Sequence, residues 1–152
     1  MTRVDFYILH GTTLASERDS FACRLVNKAL GLGTEIFLAA ESSVHARSLG
    51  DLLQQDATPF SLDDSTHASV SIAEAARPGE HSECLINLSN EVPRCAARFE
   101  RICEIVVFDS TLHAATQENF RFYRDRGFPL RTYELNTGVA QQPSANKASV
   151  PA

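Results

Sequence analysis

No two of the four cysteines are spaced as C-x-x-C, and the positions of Cys23, Cys84, Cys95 and Cys103 match no zinc pattern. Each reads as a reduced, mostly buried small residue. An apolar run of about 18 residues is missing too, as is a secretory signal pattern. Neither membrane insertion nor export is expected, and the cytoplasm is the expected compartment. There is no basic excess either: the net charge is −5. Duplex-DNA binders usually show a strongly basic face, and this chain as a whole does not.

The common catalytic signatures are absent as well. No G-x-x-x-x-G-K-[ST] occurs. Gly31-Leu32-Gly33 follows a helical pattern and precedes a strand, the wrong side for a phosphate cradle. A serine nucleophile elbow, G-x-S-x-G, is absent. The histidines (His10, His45, His67, His81, His113) are scattered, and none has a partner four residues on. Asp63-Asp64 sits in a loop pattern without a histidine arrangement for a metal. Cys84 or Cys103 could meet His10, His81 or His113, but nothing in the spacing requires it. No catalytic centre, metal or cofactor is expected.

What is present is an ordinary globular composition, 43% apolar and 22% charged over 152 residues, enough for one domain with a real core. From Asn136 to Ala152 there is no aromatic residue and one charge, Lys147. That stretch is expected to be a disordered tail on a domain of residues 1–135. Within the domain, VDFYIL (4–9), EIFLAA (35–40), CLINL (84–88) and EIVVF (104–108) read as buried strands. Weaker strands are expected around Phe60–Leu62 and Val70–Ile72, and a last one over Pro129–Leu135. Ser16-Glu17-Arg18-Asp19 has the form of a capping box before a helix that Gly31 would stop. A second helix follows Ser42 or Ser43 with Ala46, Leu49 and Leu53 inward. Pro93 opens a short helix with Cys95, Ala96 and Phe99. Asp109 or Ser110 caps a long helix to Arg126, with Gly127 ending it. Apolar strands alternating with helices predict an α/β fold, a mostly parallel sheet with helices on both faces. It is nucleotide-fold-like, without a nucleotide site.

The last long helix is the informative element. At about 100° per residue, His113, Gln117, Phe120 and Arg124 share one narrow stripe. The core-facing stripe is expected to be Leu112, Ala115, Asn119 and Phe122, with Tyr123 at its margin. An outward phenylalanine beside an arginine is hot-spot composition. Coverage of Phe120 by the tail, or a single exposed apolar residue, is the blander reading. Arg121, Arg124, Arg126 and Arg131 face only Asp125 in this stretch, a small basic patch suited to an acidic peptide or simply a solvated helix end.

Taken together, VDFYIL, EIFLAA with its Glu-Ser helix start, CLINLS, EIVVF and above all NFRFYRDRGF (119–128) resemble the chi subunit of bacterial DNA polymerase III over residues 1–135. The resemblance implies a non-catalytic subunit of the clamp-loader assembly. It would link the holoenzyme to single-stranded-DNA-binding protein by holding that protein's acidic, Phe-ending C-terminal tail, and so touch DNA only indirectly. Val106 and Phe120 match the apolar part of the family's site, and Arg124 a basic position. His113 and Gln117 stand where the best-known members carry basic residues, so the resemblance implies either that Arg121, Arg124 or Arg126 compensates or that binding is weaker. The second family contact, with the psi subunit, uses a Trp-to-Phe stretch. Phe60 matches the phenylalanine, but Gln54 replaces the tryptophan and Leu62-Asp63 the following Pro-His. Losing a large aromatic anchor removes much of such an interface. The resemblance therefore implies another clamp-loader contact in place of psi, or no stable one. Two rival readings are a small enzyme with a cleft at the strand C-termini and a direct nucleic-acid binder through the Arg121–Arg131 cluster.

Overall fold

A computed structural model describes residues 2–62 and 68–136. The order along the chain is β1 (Arg3–His10), α1 (Ala15–Gly31), β2 (Ile36–Ala40), α2 (Ser43–Gln55), β3 (Val70–Glu74), β4 (Cys84–Asn87), a 3-10 turn (Ala96–Arg98), β5 (Arg101–Val106), α3 (Ser110–Asp125) and β6 (Leu130–Asn136). The six strands form one sheet in the order β3-β2-β4-β5-β1-β6, and every pairing is parallel. This is the α/β architecture that the sequence predicts, with the sheet parallel throughout.

Side chains alternate across each strand, which splits the core in two. Tyr7, Leu9, Ile36, Leu38, Ile86 and Ile105 pack with α1 and α2 on one face. Val4, Phe6, Phe37, Leu85, Ile102 and Val106 pack with Tyr123 of α3 and with Ala96 and Phe99 on the other. All four cysteines are free, and Cys23, Cys84 and Cys103 are buried, as read from the sequence.

Local details differ from the sequence expectations in four places, the first being that the short helix expected from Pro93 is a 3-10 turn over Ala96–Arg98. Helix α1 begins one residue before the supposed capping box: its N-cap is Leu14, which offers no side-chain acceptor. Arg18 is instead buried and donates to the Leu88 carbonyl at 3.1 Å, while Asp19 sits 3.1 Å from His45 Nε2. At the other end of α1 the left-handed residue is Gly33 (φ 79°), two positions past Gly31. The expected Phe60–Leu62 strand is a single bridge, Ser61 to Ser71. Ser42 caps α2 as expected, accepting from the His45 N–H, and Gly127 takes the left-handed conformation that ends α3 (φ 80°). Asp63, Asp64, His67 and all of the expected tail after Asn136 lie outside the described residues.

Candidate functional site

Asp109 sets the direction of α3. Its carboxylate accepts from the N–H groups of Thr111 and Leu112, both at 3.0 Å, satisfying two of the donors a helix start leaves open. Replacing Asp109 with Ala is expected to cost about 1 kcal/mol, read as a lower urea midpoint at unchanged slope.

The helix then lies on the sheet with Thr116, Asn119 and Tyr123 buried. This corrects the predicted core stripe. Phe122 points outward, 36% exposed, with the Arg126 guanidinium 4.1 Å above its ring. Phe120 is half-buried and meets Phe6 edge-on at 5.1 Å. Tyr123 wins the inward position because its hydroxyl has a partner there, the Glu104 carboxylate at 2.7 Å. Glu104 also accepts from Asn87 at 2.9 Å and, at 3.5 Å, from Asn119. It ties α3 to β5 and β4 through side chains alone. Burial pushes its carboxyl up to about 7, against the pull of those hydrogen bonds.

Beside this anchor α3 and the sheet form an open, shallow hollow of about 140 Å³. It is lined by Phe6 and Ile8 of β1, Val106 of β5, Thr132 of β6, and His113, Thr116, Gln117 and Phe120 of α3. The register brings the strand residues together: Ile8 stands opposite Val106, and Phe6 opposite Thr132. Its volume is on the scale of a single phenyl ring, about 150 Å³ being enough for benzene in a closed cavity, but this hollow is open on its solvent side. The exposed Phe108 ring, which is not part of the lining, packs on His113 at 5.0 Å and on His10 at 5.5 Å. His10 Nε2 in turn lies 2.8 Å from Glu134.

Of the site residues expected from sequence, Val106, His113, Gln117 and Phe120 therefore converge on one hollow. Arg121 and Arg124 do not line it. Both are exposed on α3, and each sits beside a carboxylate: Arg121 is 2.8 Å from Glu118 and Arg124 is 3.2 Å from Asp125. The sequence reading missed Phe6, Ile8, Thr116 and Thr132. Strand periodicity separates Phe6 and Ile8 from Tyr7 and Leu9, but which pair faces α3 depends on topology.

The second expected face is built differently. Gln54 is exposed on α2, while Phe60 is half-buried against that helix. A Cβ at Gly50 would lie 2.9 Å from Phe60 Cε2, so the absent side chain is what lets the ring close on α2. Gly50→Leu is expected to dislodge Phe60 and lower stability by about 1–3 kcal/mol, measured by thermal or urea unfolding.

A wider cleft of about 850 Å³ opens at the C-terminal ends of β2 and β4, where the chain departs to opposite faces. Doubly wound folds hold phosphates at such a point. Here the charged lining is Glu41, Glu74 and Glu91 against Arg94, a potential that opposes a polyphosphate. Among the described residues no group of His, Cys, Asp and Glu is arranged to hold a metal ion, and no helix is long and apolar enough to cross a membrane.

Fold and site together define an all-parallel α/β domain whose apolar hollow lies under its last helix, away from the acidic crevice. The chain belongs to the DNA polymerase III chi subunit family: the family model described as "DNA polymerase III chi subunit, HolC" matches residues 1–131. It is 34% identical over 140 residues to the DNA polymerase III subunit chi of Pseudomonas aeruginosa, an alignment covering 89% of this chain and 98% of that protein.

Proposed function

We propose that the protein is a non-catalytic subunit of a DNA polymerase III assembly, working in DNA replication by holding the acidic, phenylalanine-ending tail of single-stranded-DNA-binding protein. The observation that carries this reading is the hollow between Phe120 and the Phe6, Ile8 and Val106 side chains of the sheet. A terminal phenyl ring fits it by size and polarity, and its carboxylate would meet the polar rim of His113, Gln117 and Thr132. Arg121 and Arg124, outside the hollow, act on the preceding acidic residues over a distance, each weakened by its own carboxylate neighbour. The link to the clamp loader runs through a contact that does not rely on a Gln54–Phe60 aromatic anchor. Single-stranded DNA is reached only through the partner, consistent with the net charge of −5. A fluorescent acidic peptide ending in Phe, titrated with the full chain by anisotropy, tests the proposal. Binding should weaken as salt rises, and an otherwise identical peptide ending in Ala should bind poorly. Equal affinity for both peptides, or none for either, removes the reading.

A further inference from the structure

The hollow presents an anion with an unusual rim. Among the residues that line it, the lysine and arginine count is zero, and His113 is the one side chain that can become cationic. Its ring is half-buried on the first turns of α3 and packed against Phe108. Histidine changes charge between pH 5 and 8, and the tail's carboxylates stay ionised above about pH 5. We infer that His113 is the proton-controlled anchor of this site, so that the acidic tail binds more tightly when His113 is protonated. The inference rests on the proposed docking of the tail.

The charged and titratable groups around His113 define what else could respond. On its own helix, Glu118 and Arg121 neutralise each other at 2.8 Å. At the helix start the Asp109 carboxylate is engaged by two backbone N–H groups. From β1 and β6, His10 and Glu134 form a pair 2.8 Å apart, with the His10 ring 5.5 Å from that of Phe108. From β5, Glu104 is buried beneath α3 within its own hydrogen-bonded set. His10 and Glu104 are therefore the competing sources of pH dependence: His10 stacks on Phe108, the ring that packs on His113, and burial beneath α3 pushes the Glu104 carboxyl up to about 7.

The test is the same peptide titration at constant ionic strength from pH 5.5 to 8.0. Wild type should lose about fivefold in affinity across that range, the scale of one partly exposed ion pair. His113→Lys should bind tightly with little slope, His113→Gln weakly with little slope, and His10→Gln and Glu104→Gln should each keep the wild-type slope. Thermal melts confirm that each variant is folded. A wild-type affinity that is flat with pH overturns the inference while leaving the docking site standing. So does a slope that survives His113→Gln. No binding by any variant at any pH overturns the docking site itself.

Discussion

Replacing Phe120 with Ala is expected to weaken binding of the acidic, Phe-ending peptide by at least about tenfold, while Phe122→Ala leaves it nearly unchanged. The two rings are two positions apart on α3 and have opposite surroundings. Phe120 forms a wall of the hollow and meets Phe6 edge-on at 5.1 Å. Truncating it removes the surface on which an incoming ring would rest and flattens a hollow already open to solvent. Phe122 lies on the outer side beneath Arg126, where its loss removes only a solvent-facing contact. Stability should follow the same order. Phe120→Ala is expected to cost about 1–3 kcal/mol, less than a fully buried phenylalanine because the ring is partly exposed, and Phe122→Ala about 0.5 kcal/mol. Anisotropy titration with parallel urea unfolding separates the two quantities. A Phe122→Ala protein that lost the peptide while Phe120→Ala kept it would place the site on the wrong side of the helix.

The second large effect concerns the anchor of that helix. Glu104 is held near pKa 7 in the folded protein against an ordinary value of 4.5. Between those two values the folded protein keeps a proton that the unfolded chain has released. Stability from this group is therefore complete below about pH 4.5 and is lost as pH rises toward 7, a total of about 3 kcal/mol. Above about pH 8 both states are ionised and the group adds no slope. Glu104→Gln removes this component. The wild-type-minus-variant difference in urea unfolding free energy should fall from about pH 4.5 through 7 and level near pH 8. At pH 8 the variant should be at least as stable as wild type, because no charge is buried. A difference that does not change with pH would mean that the carboxylate is solvated or otherwise paired. Glu104→Leu is a harsher change. It leaves the Tyr123 hydroxyl and the Asn87 amide without their acceptor in the core, at a cost of about 3 kcal/mol or more.

The same carboxylate shows why the site was only partly legible in the sequence. The strands could be read because a parallel sheet covered on both faces needs continuous apolar runs, and VDFYIL, EIFLAA, CLINL and EIVVF supply them. Helix caps at Ser42 and Asp109 followed from local hydrogen-bonding chemistry. The inward face of α3 did not. Helical arithmetic on hydrophobicity ranks Phe122 above Tyr123, but the fold supplies a buried acceptor for the tyrosine hydroxyl, and Glu104 sits fifteen or more positions away from both of its α3 partners. The hollow has the same character. Its floor combines neighbours from β1, β5 and β6, and the register that aligns Phe6 with Thr132 and Ile8 with Val106 is a property of the sheet order. Arg121 and Arg124 were visible as charges, and their neighbours Glu118 and Asp125 were visible beside them. What needed coordinates was that these arginines stand outside the hollow.

The most direct test of the docking site is an amide and methyl NMR titration of the full chain with the acidic, Phe-ending peptide. Shifts should concentrate on Phe6, Ile8, Val106, His113, Gln117, Phe120 and Thr132, with little change at Gln54, Phe60 or the Glu41–Glu91 crevice. A response centred on that crevice or on the Phe60 side of α2, with the residues under α3 silent, would contradict it.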